Sequence, residues 1–151
     1  MEPIFEFASV SDIEVLIQLM REFYEHEHLS FNEQTARSAL QLILSNHLYG
    51  QIYLIRIAQE IIGYLVVTFG FSLEFGGRDA FVDELYIQEK YRRQGIGTKG
   101  LQFAEEICQE QGIQALHLEV ERENTKAQAV YRKAGFTDHD RYLLTKSLLN
   151  C

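Results

Sequence analysis

The chain has 151 residues, 46% hydrophobic and 24% charged, values that suit one soluble domain over 1–151 and exclude a disordered or collagen-like chain. Its net charge of −8 argues against a nucleic-acid binder, which needs a basic face. The longest apolar run, 61–71, is broken by Gly63 and Gly70 and falls far short of the ~20 residues of a membrane span; residues 1–6 lack a basic leader and a long apolar stretch, so a cytoplasmic protein without membrane attachment is expected.

Residues 4–8 read as a short strand. Ser11 and Glu14 have capping-box spacing, and Ile13, Leu16, Ile17, Met20, Phe23 and Tyr24 then recur at helical spacing to about residue 28. Asn32 is placed to cap a second helix with Ala36, Ala39, Leu40, Ile43 and Leu44 on one face. Residues 52–58 and 61–71 are rich in β-branched and aromatic residues, and Gln59-Glu60 between them predicts a hairpin. Gly76-Gly77 is a turn, and 80–88 the next strand. A helix is expected over 97–111, with Gly112 just past its end. A strand over 117–121, a helix over 125–134 closed by Gly135, and one or two final strands through Leu148 complete the chain. The order βααβββαβαβ(β) predicts an α+β, mixed α/β fold: a single mixed, mostly antiparallel sheet with about four helices on its two faces.

Charge is unevenly spread. Residues 1–31 hold seven acids against Arg21 alone, whereas Lys90, Arg92, Arg93 and Lys99 form an island without acids. Two ligands of opposite charge, or two solvated faces, are both compatible with that pattern. Cys108 reads as a buried thiol and Cys151 as a tail thiol, with no disulfide framework. His26-x-His28 diverges at i and i+2 on a helix, so no metal site is expected.

Arg92-Arg93-Gln94-Gly95-Ile96-Gly97-Thr98 joins a strand to a helix. Two glycines allow close backbone approach, and the N–H groups and dipole of the helix start favour an anion such as a phosphate. A nucleoside-triphosphate loop is excluded, because Gly97 is followed by Thr98-Lys99 rather than Lys-Ser/Thr. Gly95-x-Gly97-x-x-Gly100 with Glu119 downstream fits a dinucleotide fingerprint literally. Yet seven residues separate the strand from Gly95, and too little chain follows for a doubly wound sheet.

Arg92-x-x-Gly95-x-Gly97 after Leu85-Tyr86-Ile87 resembles the acyl-coenzyme A motif of the GNAT N-acetyltransferase superfamily. Asn124-x-x-Ala127-x-x-x-Tyr131-x-x-x-Gly135-Phe136 resembles that family's helix beside the coenzyme thiol. The element order matches the fold over essentially the whole chain. Arg93 departs from the pattern where many members carry glycine, and Gly100 where they carry a bulkier residue.

The resemblance implies a sheet splayed at the coenzyme site and acetyl-CoA as co-substrate, with no metal. The strand Leu85, Tyr86 and Ile87 would receive the pantetheine arm, with backbone groups of Leu85 and Ile87 bonding it. Arg92, Arg93 and the N–H groups of Gln94, Gly95, Ile96, Gly97 and Thr98 would hold the pyrophosphate, while Asn124, Ala127 and Tyr131 would flank the arm. Tyr131 matches the family's acid for the departing thiolate. Asp83 and Glu84 are the base candidates; strand alternation places them on opposite faces, and Asp83 is favoured. Acceptor choice would fall to Tyr24, Glu25, His26 and Glu27 with Asp83, whose carboxylates suit a cationic amine. The reading is therefore N-acetyl transfer to a primary amine, small or on a protein; the alternative is a non-catalytic acyl-CoA sensor on the same fold. An exposed final strand would allow a homodimer.

Overall fold

The computed structural model describes residues 2–149. β1 (Ile4–Phe7) leads into a 3₁₀ turn at Val10–Asp12 and then α1 (Ile13–His26). The Ser9 N–H donates to Asp12 Oδ2 at 2.9 Å. The reciprocal cap thus lies at Ser9 and Asp12 instead of Ser11 and Glu14, because the short Asp12 side chain reaches back across the tighter turn. α1 ends where His28 adopts φ 58° and the Leu29 N–H returns to Tyr24 O at 2.8 Å, a left-handed C-terminal closure. α2 (Glu33–Ser45) starts as expected, with Asn32 Oδ1 accepting the Thr35 N–H at 2.9 Å.

Five strands form one sheet in the order β1-β2-β3-β4-β5. β2 (Gly50–Ile57), β3 (Glu60–Ser72) and β4 (Gly77–Ile87) are an antiparallel meander, and β5 (Ala115–His117) pairs parallel to β4. The β2–β3 turn is Ala58-Gln59, because Ile57 faces Glu60. α3 (Ile96–Glu110) makes the crossover from β4 to β5. Its end is a left-handed closure at Gly112, with the Ile113 N–H donating to Cys108 O at 2.9 Å. α4 (Thr125–Lys133) follows β5.

The sheet buries both faces. α1 and α2 cover one side, where Leu16, Leu19, Leu40, Leu54 and Tyr64 pack. α3 covers the other with Ala104, Ile107 and Cys108 against Tyr53, Leu65 and Val67. The Cys108 thiol lies in this core, and burial pushes its pKa up to about 11; Cys151 lies outside the described residues.

Two expected strands differ. β5 occupies 115–117 instead of 117–121: His117 is pinned to β4 through Asp79 Oδ2 at 3.0 Å, and Glu119, Val120 and Glu121 then leave the sheet as exposed chain. Residues 136–149 form no helix or strand. A strand exists only where it finds a ladder partner, and the edge offered by three-residue β5 is too short to template one.

One irregularity sets up the chemistry. Val66 faces Glu84 but Val67 faces Val82, so Asp83 is an extra residue with no partner on β3. This β-bulge shifts the alternation of β4 by one.

Candidate active site

The loop between β4 and α3 carries a short 3₁₀ turn at Glu89–Tyr91 and then the basic island. Gly95 caps α3 with φ 79°, a left-handed conformation that glycine adopts without strain. Arg93 stands in the same region at φ 65°, a conformation that glycine would adopt more readily. Cβ atoms added at Gly95 or Gly97 would meet nothing within 4 Å, so both glycines line open space. The N–H groups of Ile96, Gly97 and Thr98 donate to no group among the described residues. An N-terminal cradle of unsatisfied donors is what a phosphate fills.

The cations of the island are used differently. Lys99 Nζ pairs with Glu2 at 2.6 Å, and Lys90 lies over the Tyr91 ring. The Arg92 guanidinium turns back: its Nε donates to Ile87 O at 2.8 Å, Nη1 meets His26 Nε2 at 3.1 Å, and it lies over the Tyr86 ring. Arg93 is exposed and has no hydrogen-bond or ion-pair partner among the described residues. Gly100 is buried against β4; a Cβ there would come within 3.2 Å of Leu85 Cδ1, so Leu85 fills the space a bulkier residue would take.

β4 pairs with β5 only over Asp79–Phe81, and from Val82 onward its outer edge is open. The Gln88 N–H donates inward to Ile62 O on β3 at 2.8 Å. By alternation the backbone groups of Leu85 and Ile87 face that open edge, where Arg92 reaches the Ile87 carbonyl. The sheet is thus splayed beside the α3 cradle, and these residues fit an extended arm ending in phosphates.

On the opposite face of the sheet lies a cleft of about 220 Å³ between α1, α2 and β2–β4. Asp83 and Glu84 both line it. This corrects the expectation of opposite faces: the bulge cancels the alternation between them, a feature that period-two reading cannot detect. Glu84 is gripped by two phenols, Tyr24 donating to Oε2 at 2.5 Å and Tyr64 to Oε1 at 2.7 Å. Burial raises the Glu84 carboxyl above its ordinary range; the phenol hydrogen bonds oppose that shift, and the Asp83 charge adds to it. Asp83 has no hydrogen-bond partner among the described residues and keeps an exposed face to solvent; partial desolvation by the cleft is what raises its pKa. Burial and the neighbouring Glu84 raise both Tyr24 and Tyr64 well above the usual phenol range.

The remaining candidates are dispersed around this centre. Glu25 is exposed on the solvent side of α1, and His26 serves Arg92. Asn124 caps α4 by accepting the Ala127 N–H at 3.1 Å. Tyr131 is half-buried against Phe136; burial first, and the charge of Glu27 second, raise its pKa. Sequence reading passed over Tyr64, because a tyrosine in an apolar strand looks like core. It also passed over Glu22, which accepts from Tyr86 OH at 3.0 Å and from Gln88 Nε2 at 3.2 Å. The Tyr86 hydroxyl is pushed up to about 12 by burial and by that carboxylate. Among the described residues no group of three or more His, Cys, Asp or Glu could hold a metal ion, and no helix is long and apolar enough to cross a membrane.

A mixed sheet splayed beside a helix start with free N–H donors, with a carboxylate cleft on its other face, is compatible with an acyltransferase. Residues 13–136 match the model of the Acetyltransferase (GNAT) family, and the chain belongs to that family of acetyltransferase enzymes. The mouse (Mus musculus) thialysine N-epsilon-acetyltransferase is 29% identical over 139 residues, covering 87% of this chain and 82% of that protein. An integron cassette protein from the mobile metagenome of Cole Harbour Salt Marsh superposes with a TM-score of 0.86 at 33% identity, covering 97% of this chain and 91% of that one. A predicted acetyltransferase with acetyl-CoA from Clostridium acetobutylicum superposes with a TM-score of 0.81 at 20% identity, over 96% of each chain.

Proposed function

We propose that this chain transfers the acetyl group of acetyl-CoA to a primary amine by direct attack in a ternary complex. The observation that carries the reading is the pairing of unsatisfied α3 N–H donors with an open edge on β4, the strand that also carries the Asp83 and Glu84 carboxylates. The N–H groups of Ile96, Gly97 and Thr98 and the Arg93 guanidinium would hold the pyrophosphate. Backbone groups of Leu85 and Ile87 would bond the pantetheine arm. When bound, acetyl-CoA supplies an activated acyl carbon and a thiolate leaving group.

The protein's own groups then divide the proton work. Glu84, fixed by Tyr24 and Tyr64, orients the acceptor ammonium. Asp83, free of internal partners and with a raised pKa, takes the proton that makes the amine nucleophilic. Tyr131 stays protonated at neutral pH, since burial and Glu27 both disfavour its phenolate, and it donates to the departing sulfur. The exposed apolar segment beyond α4 supports assembly as a homodimer.

The test is release of coenzyme thiol from acetyl-CoA across an amine panel that includes thialysine, with calorimetry of coenzyme binding alongside. Turnover with at least one amine is expected. Arg93→Ala should weaken coenzyme binding about tenfold, and more than Arg92→Ala does, since Arg92 is engaged by Ile87 O. Tight coenzyme binding with no turnover on any amine would replace the enzyme with a sensor.

A further inference from the structure

Building on the acetyl-transfer reading, we infer that the acceptor is a monoamine, a primary ammonium on an apolar body, seated in the cleft between α1 and α2. The polar groups of the lining are neighbours: Tyr24 and Tyr64 both donate to Glu84, and Asp83 precedes it on β4. The rest of the wall is apolar, including Leu16 and Met20 from α1, Ala36, Ala39 and Leu40 from α2, and Ile52 from β2.

An ammonium fits the polar groups. It brings three N–H donors, and each Glu84 oxygen still has a lone pair free after its phenol bond, while both Asp83 oxygens are free. No lysine, arginine or histidine lines the cleft to neutralise these carboxylates, so the compensating charge comes with the ligand. The body of the ligand then lies against Leu, Met, Ala and Ile side chains, which offer a second charge neither a hydrogen bond nor a counter-ion. Placing one there costs its hydration without return. The acidic stretch Glu25-His26-Glu27, which from sequence suited a cationic amine, does not line this cleft. Ala36 is buried and Ala39 exposed, so two small residues keep α2 open from floor to mouth.

Length-matched amines decide the matter. Hexylamine and 1,5-pentanediamine differ by one methyl replaced with an ammonium. With acetyl-CoA, kcat/KM for hexylamine is expected to exceed that for the diamine by at least about tenfold. The exposed Ala39→Glu variant places a carboxylate at the mouth and should shift the ratio about tenfold toward the diamine. Binding of both amines to the coenzyme-free chain by calorimetry should follow the same order. Preferential binding of hexylamine with no turnover of any amine in the panel would keep the cleft's preference for a monoamine ligand and overturn the transfer reading. Turnover or binding that favours the diamine, an Ala39→Glu ratio unchanged from wild type, or no binding of either amine would overturn the inference.

Discussion

At the residue scale the proposed site rests on two adjacent carboxylates held in unlike ways. Glu84 has two phenol donors, whereas Asp83 has none and its raised pKa comes from partial desolvation at the cleft. The two should therefore fail differently. Asp83→Asn is expected to lower kcat and to remove the acidic limb of the rate profile, which in the wild type lies above the ordinary aspartate range. Glu84→Gln is expected mainly to raise KM for the amine; steady-state kinetics against pH would expose the reverse split and exchange the roles. Stability carries a second signature. The folded chain binds the Asp83 proton more tightly than the unfolded chain, so this group's contribution falls as pH rises from the ordinary carboxylate value through the raised one, and its charge is a net cost above that. Asp83→Asn should melt higher than wild type at about pH 8, with the gap closing toward about pH 4; a constant gap in thermal melts would contradict the assignment. Tyr131→Phe keeps the ring against Phe136 and removes one proton donor. It should cut kcat about 10²-fold, the low end for positioned acid catalysis because a thiolate leaves readily, while calorimetry shows coenzyme affinity little changed.

At the element scale the start of α3 and the bulge in β4 do the positioning. Gly97 lies in the first turn of α3, and a Cβ there meets open space. Gly97→Ala should therefore stabilise the fold by about 0.5–1 kcal/mol, the usual helix gain over glycine. The same methyl occupies the approach to the N–H cradle, so coenzyme affinity should drop. A variant that melts higher and binds the coenzyme worse separates a ligand role from a structural one; unchanged affinity would remove Gly97 from the site. The cradle could be read from the chain because its signals are local: glycine spacing, basic flanks and a helix start. α1, α2 and the β2–β3 hairpin were legible for the same reason, through caps and periodicity. The bulge was not, because it arises from the mismatch of β3 and β4 across space, between Val66 and Val67. Nothing in Val82-Asp83-Glu84-Leu85 announces it. That one extra residue brings both carboxylates to a single cleft, and the grip of Tyr24 and Tyr64 on Glu84 spans elements up to 60 residues apart.

At the scale of the whole molecule, the chain divides into a packed body and an uncovered C-terminal part. The side chains of the three core clusters come from residues up to Leu116, and no residue of α4 is buried. Beyond it, Tyr142, Leu143, Leu144, Leu148 and Leu149 are all exposed, Leu144 at 89%. The segment is tethered to the β3–β4 turn by the Arg141 guanidinium on both Glu74 carboxylate oxygens, at 2.9 and 2.7 Å, and by His139 against Phe75. These polar tethers fix its path without burying its leucines. Five large apolar side chains within eight residues, left in water, are the signature of a surface that another molecule covers. A second copy carries the same segment, and a two-fold arrangement lets each cover the other with one self-complementary contact. The sequence expectation of one or two final strands from Phe136 through Leu148 is not met: the short β5 edge supplies no ladder partner for its leucines. Sedimentation of the full chain at micromolar concentration should therefore give a dimer. Leu144→Glu with Leu148→Glu should shift it toward monomer, and circular dichroism should show the helices and sheet intact, because the packed core includes neither residue. A wild-type chain that sediments as a monomer, or a double variant that stays dimeric, would place the partner surface elsewhere.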